Sequence, residues 1–150
     1  MVYSQKNRND LINGAAMSFI TFNEKDKVNI ELMDKQHKTM ISIVNKIYKD
    51  LKAHKIEDIL ISFDKLIKLL KEHFEYEEQL MLETKFEGYY SHKLEHDRML
   101  KKTIDTFRSF RKDKTFLKEE YLVGIKNWFF NHLELSDKKC GAHFVKMGIK

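Results

Sequence analysis

Seven side chains constrain this chain more than anything else in it: His37, His73, Glu77, His92, His96, His132 and Asp137. All are metal ligands by type. Each falls on the apolar stripe of a predicted helix, where a polar group without a partner costs roughly 2–7 kcal/mol. Four stretches hold them, and three of the four hold a close pair: His73 with Glu77, His92 with His96, and His132 with Asp137. A fold for this chain must give these groups to one another or to a cation.

The rest of the sequence favours long helices. Proline is absent and glycine occurs five times in 150 residues, so there is little turn punctuation. Four stretches carry apolar residues stepping by threes and fours. The first runs over 30–51, with Ile30, Met33, His37, Met40, Ile41, Val44 and Leu51 on its stripe. The second covers 56–84, from Ile56 and Ile59 through Phe63, Leu66 and Leu70 to His73, Phe74, Glu77 and Met81. The third, 89–112, lines up His92, His96, Met99, Leu100, Thr103, Phe107 and Phe110. The fourth is expected to start near Phe116 with Thr115 as its N-cap, and to present Tyr121, Ile125, Trp128 and His132. Short links make neighbouring helices antiparallel. The expected fold is therefore all-α, an up-down-up-down antiparallel four-helix bundle. Residues 1–16 are polar and aperiodic and are expected to be a loose N-terminal arm, with 17–150 as the domain. Within 17–29, Phe19, Ile20, Phe22 and Val28 are available to pack against the bundle.

Spacing argues for a metal cluster. Residues i and i+4 on a helix differ by about 40° of rotation and about 6 Å of rise, so both can reach one ion. His73/Glu77 and His92/His96 have that spacing. His132 and Asp137 are five apart, about 140° of rotation on an ideal helix, and converge only if the helix bends, loosens or ends between them. A lone histidine on an apolar stripe is ordinarily a hydrogen-bonded core residue, and His37 by itself would be read that way. Four coinciding stretches change that reading. The other two histidines, His54 and His143, are expected at the surface. Structural zinc prefers four ligands, often thiolate, and calcium and magnesium prefer oxygen. Imidazole with carboxylate suits iron, copper, nickel or zinc. Two carboxylates bridging two ions, with five imidazoles completing the shells, give a di-iron centre. Five is odd, so one ion carries three histidines and the other two, which leaves an open position.

The ordered set Asp34-Lys-Gln-His-Lys38, His73-Phe-Glu-Tyr-Glu-Glu78 with Met81, His92-Lys-Leu-Glu-His96-Asp97, and Trp128-Phe-Phe-Asn-His132 followed by Asp137 resembles the hemerythrins, the single-domain bacterial ones in particular. The resemblance covers about residue 17 to the C-terminus. Myohemerythrin is itself a standard up-down-up-down bundle, so on topology the resemblance and the periodicity are not independent. The resemblance implies that His92, His96 and His132 bind the six-coordinate iron and that His37 and His73 bind the iron with the open position. It implies that Glu77 and Asp137 bridge the two iron ions (Fe2+/Fe3+) beside an oxo or hydroxo bridge. The implied activity is reversible dioxygen binding, for storage, delivery or scavenging. Water must then be kept out, and Met40, Phe74, Trp128, Phe129 and Leu133, which lie beside the ligands, fit an apolar oxygen pocket. Cys140 stands where the family often has an aromatic residue, three positions after the bridging aspartate. It reads as a small packing residue that could enlarge the site or admit thiol chemistry.

The expected partner is dioxygen, with a protein recipient of the oxygen left open, and the chain is expected to be a monomer and not an enzyme. An oxygen or redox sensor acting through a partner protein, and a di-iron oxidase or peroxidase, are the alternatives. The site is richer in histidine than the Glu-x-x-His carboxylate oxidases. A net charge of +5 is spread among acids, dense only over 108–118, and no basic-aromatic motif accompanies it, so no nucleic-acid partner is expected. No apolar run reaches the length of a membrane span, and one cysteine fits a reducing compartment, so the cytoplasm is the expected location.

Overall fold

The computed structural model describes residues 18–150, and the arm expected over 1–16 lies outside them. Helix α1 spans Glu31–Lys52, α2 Ile56–Glu83, α3 Tyr89–Lys112 and α4 Glu119–His132. From α4 the chain continues without a break through a π-helical turn, Leu133–Asp137, into α5, Lys138–Lys146. The α1 helix lies along α2, α2 along α3, and α4 returns to α1, closing the four-helix bundle. Among the described residues there is no strand, and no helix is long and apolar enough to cross a membrane.

The first two helices bury most of the stripes expected of them, whereas of the α4 stripe only His132 is buried, with Tyr121, Ile125 and Trp128 half-buried. The α1 helix buries Met33, His37, Met40, Ile41, Val44 and Ile47, and α2 buries Phe63, Leu66, Leu70, His73, Phe74, Glu77 and Met81. The core falls into two apolar clusters. One holds Ile20, Met40, Val44, Phe63, Leu70, Phe74, Met99 and Phe110, and the other holds Val28, Ile30, Met33, Met81, Leu133, Cys140 and Phe144. On α1, α2 and α3 the polar ligand-type residues lie in the stretch where one cluster gives way to the other.

Helices end here with little help from glycine. Backbone N–H groups of Lys55 and Phe86 reach back to the carbonyls of Asp50 and Met81, and the intervening His54 and Lys85 adopt left-handed φ values of 56° and 53°. These are Schellman-type ends, which glycine usually supplies. His54 is exposed, as expected. His143 is half-buried instead, its Nε2 3.0 Å from the Thr84 carbonyl, so it fastens α5 to the end of α2.

The fourth helix departs from expectation. Thr115 is not its N-cap; its backbone N–H and hydroxyl both donate to Asp113 Oδ1, forming a local turn. That turn satisfies the groups a cap would have used, Leu117 is buried in the connection, and the helix starts only at Glu119.

The lead-in is pinned as its apolar residues suggest. Ile20 is buried and exchanges two hydrogen bonds with the Asn45 side chain, and Phe19 stacks on Tyr48. The Asp34 carboxylate, in the first turns of α1, accepts from the N–H groups of Val28 and Asn29 at 2.8 and 3.1 Å. Val28 in turn lies against Gly141 of α5, where a Cβ would come within 2.9 Å of the Val28 carbonyl oxygen. Gly124, inside α4, has nothing within 4 Å of such a Cβ. Substitution to alanine should therefore act with opposite signs at the two positions. Gly141→Ala should destabilise by about 1–3 kcal/mol and lower the melting temperature by several degrees, whereas Gly124→Ala should gain about 0.5–1 kcal/mol. Thermal melts of both variants check this, and a neutral Gly141→Ala would mean that the α5 contact with the lead-in is loose.

Candidate metal centre

All four helices and the π turn deliver one polar residue or more to a single buried site. His37 comes from α1, His73 and Glu77 from α2, His92 and His96 from α3, His132 from the end of α4 and Asp137 from the π turn. All seven are almost completely excluded from solvent. The π turn accounts for the irregular spacing of the last two. Its i→i+5 bonding brings residues five apart onto one face, which a regular α-helix would separate. His132 Nε2 and Asp137 Oδ1 lie 2.8 Å apart as a result.

The nitrogens form a group of three and a group of two. His92, His96 and His132 converge through Nε2, with His132 3.2 Å from each of the other two. His37 and His73 meet through Nε2 at 3.1 Å. The carboxylates stand between. Asp137 turns Oδ2 to His37 at 3.2 Å and Oδ1 to His92 and His132 at 3.1 and 2.8 Å. Glu77 Oε2 lies 3.3 Å from His73 and 3.7 Å from His96, and Oε1 lies 3.1 Å from His92. Asp137 thus belongs both to the ligand group with His92, His96 and His132 and to the one with His37 and His73.

This donor set fits metal ions better than it fits itself. Two imidazole nitrogens facing each other need a single proton between them, and three converging nitrogens cannot all be satisfied that way. With metal–nitrogen bonds of about 2.1 Å, adjacent ligands at right angles would sit about 3 Å apart, close to the separations seen. Glu77 Oε2 is buried without a hydrogen-bond partner among the described residues, which is the state of a carboxylate oxygen that a cation would satisfy.

Three further side chains aim the rings. Gln36 Oε1 lies 2.8 Å from His73 Nδ1, Glu78 Oε1 3.0 Å from His96 Nδ1, and Glu95 Oε2 2.6 Å from His132 Nδ1. An acceptor on Nδ1 holds the proton there and leaves Nε2 free to bind. Ser136, in the π turn, donates to the same Glu95 carboxylate. Sequence reasoning missed all four. Gln36, Glu78 and Glu95 each sit directly beside a ligand-type residue in sequence, but each serves a ring on another helix, and periodicity does not reveal such pairings.

Of the five residues expected to line an oxygen pocket, Met40, Trp128 and Phe129 border an apolar cavity of about 40 Å³ together with Ile20, Met99 and Thr103 among others. Phe129 meets His37 edge-on at 5.4 Å, and Trp128 stacks on His132 at 4.5 Å. Phe74 lies outside the cavity lining and stacks on His96 at 3.9 Å. Leu133 is buried in the other apolar cluster, with Met33 and Cys140. Cys140 is itself at the site, its Sγ 2.8 Å from Glu77 Oε1.

The hemerythrin HHE cation-binding domain profile matches residues 28–142. The chain belongs to the hemerythrin family. It is 34% identical to a bacteriohemerythrin of Aquifex aeolicus over 111 residues, covering 70% of this chain and 85% of that one. A bacteriohemerythrin of Methylococcus capsulatus is 27% identical over 113 residues, covering 75% and 86%. The fold superposes on a wild-type hemerythrin crystal structure with a TM-score of 0.78 and 26% identity, covering 83% of this chain and 96% of the other.

Charge within the site is divided unevenly. Burial opposes a charge on His92, but its hydrogen bonds to Asp137 and Glu77 outweigh that and raise its pKa to about 10. Burial, with the charges of His92 and His132 beside it, lowers His96 to about 2. Burial and His37 likewise hold His73 well below the usual histidine range. Burial works against ionisation of both carboxylates. It prevails at Glu77, which is raised with Asp137 beside it, while His132 and the other imidazoles hold Asp137 well below the usual carboxylate range. At pH 7 His92, with its pKa above that value, carries a proton that a metal must displace, whereas His73 and His96 are already neutral. His132 is also raised, its burial outweighed by the adjacent Asp137, so loading the metal-free protein with Co2+ at pH 7 should release at least one proton per chain from this histidine group. Titration in weak buffer with an indicator dye measures it, and uptake without proton release would contradict this charge distribution.

Proposed function

We propose that this protein binds dioxygen reversibly at a non-heme di-iron centre, with residues 17–150 as the unit that does so. In this reading His92, His96 and His132 hold one iron, His37 and His73 hold the other, and Glu77 and Asp137 are shared. The observation that carries it is the placing of Asp137, one oxygen toward His37 and the other toward His92 and His132. A single ion would not need a carboxylate turned both ways between unequal histidine groups. Imidazole and carboxylate together suit iron, which when bound would supply the reversible two-electron exchange that dioxygen binding requires.

The protein's own part is to hold the donors, keep one position free and keep water away. The two-histidine side offers fewer nitrogens, so the free position belongs there. Phe129 packs edge-on against His37, and the neighbouring cavity has a lining that is apolar except for Thr103. The Thr103 hydroxyl is already committed to the Met99 carbonyl at 2.9 Å. A small apolar molecule can occupy such a space, while water would find no free partner in it. The acceptors on His73, His96 and His132 keep those rings aimed during exchange of the bound molecule. We read the chain as a binding protein rather than an enzyme. The sensor and oxidase alternatives gain no observation of their own.

Iron-loaded protein taken through an anaerobic, aerobic and again anaerobic optical cycle should contain two iron ions per chain and return to its starting spectrum. Failure to regain that spectrum on degassing would reject reversible binding. His73→Ala removes one of the two nitrogens on the open side and should abolish the oxygen-dependent change. An unchanged cycle in that variant would contradict the assignment of the open position.

A further inference from the structure

Cys140 occupies a place that simple packing does not explain. It lies in α5, three residues beyond Asp137, and is fully buried among Val28, Ile30, Met33, Met81, Leu133 and Phe144. An apolar residue would serve that cluster equally well. Yet Sγ is directed at the carboxylate between the two histidine groups, 2.8 Å from Glu77 Oε1, and is also 3.3 Å from the Asp137 carbonyl oxygen. Glu77, His92, Asp137 and Cys140 form a third set of converging ligand-type atoms. The other oxygen of the same carboxylate, Oε2, faces His73 and His96 and is buried without a hydrogen-bond partner among the described residues, while Oε1 receives the thiol beside His92.

We propose that Cys140 is a positioning residue for the metal centre, whose thiol donates to Glu77 Oε1 and fixes the orientation in which that carboxylate meets both histidine groups. A thiol has one proton to give, and a carboxylate is a stronger acceptor than a backbone carbonyl and here lies closer, at 2.8 against 3.3 Å. With its sulfur on Glu77 Oε1 and the Asp137 carbonyl, the thiol acts through Glu77. The contact comes from the apolar cluster containing Met33, Met81 and Leu133, while the cavity is bordered by Met40, Trp128 and Phe129 of the other cluster. Cys140 can set the carboxylate without obstructing that cavity. This inference rests on Glu77 being a shared metal ligand and not on dioxygen being what the centre binds.

The test uses the full chain, anaerobic Co2+ as the probe, and the variants Cys140→Ala and Cys140→Ser. Cys140→Ala removes the donor and should weaken Co2+ binding by about tenfold or more and change the visible Co2+ spectrum, while Cys140→Ser keeps a donor and should stay within about threefold of the parent. Melting temperatures of the metal-free proteins separate this from packing, because a merely structural cysteine would move those and leave the cobalt spectrum unchanged. Equal affinity for Cys140→Ala and the parent, or a serine variant no better than the alanine one, would overturn the proposal. An intense sulfur-to-cobalt charge-transfer band in the parent that vanishes in both variants would also overturn it, since the sulfur would then be a ligand. A parent chain that takes up no Co2+ would reject the metal reading and the role of the thiol with it. A failed oxygen cycle with intact cobalt behaviour would reject only the oxygen reading.

Discussion

An ionised carboxylate in a protein interior survives only where positive charge or a full set of donors meets it. Asp137 and Glu77 set that condition for the whole bundle. Neither is accessible to solvent, and each faces histidines from more than one helix. No single helix can meet the demand, so the helices must assemble around it. This reverses the usual relation between core and site. The apolar stripes would pack in several registers, but only one register brings five Nε2 atoms to two carboxylates. Burying polar groups lowers stability wherever they are left unsatisfied, and in exchange it makes the arrangement of the helices specific.

Much of this was legible because helix periodicity and ligand chemistry act on the same residues. His73/Glu77 and His92/His96 announce themselves by spacing, and their neighbours Phe74 and Met99 are buried as the stripes require. The four-helix count and the packing of Ile20 and Val28 follow from the same pattern. The start of α4 was not legible. Thr115 has the chemistry of a cap but directs it to Asp113 one turn early, a competition that side-chain type alone does not decide. His143 was also hidden, since its partner is a backbone carbonyl at the end of another helix.

The pair His132 and Asp137 lay between these extremes. Their spacing marks them as misplaced on a regular helix, and so predicts a local loosening without saying what kind. The π turn is the answer the chain adopts, and it keeps α4 and α5 continuous while rotating Asp137 into the site. The partners of the histidine rings were illegible for a different reason. Gln36, Glu78 and Glu95 act across helix interfaces, and that depends on how the helices are rotated against one another. Only the assembled bundle fixes that rotation.

The π turn also governs how the centre is held. It supplies Asp137 and Ser136, which holds the Glu95 carboxylate against His132, and leads directly into α5, where Cys140 meets Glu77. The docking of α5 fixes that segment in place. Gly141 lets α5 press against Val28, and His143 reaches the Thr84 carbonyl. Val28 is in turn tied to α1 through Asp34, three residues before His37. The lead-in, the first turns of α1, the end of α2 and the C-terminal helix therefore form one connected support around the metal-binding groups. Loosening any of them displaces a shared carboxylate, which both histidine groups depend on, rather than a single imidazole. The centre is for that reason more sensitive to how the C-terminal helix docks than its nine residues suggest.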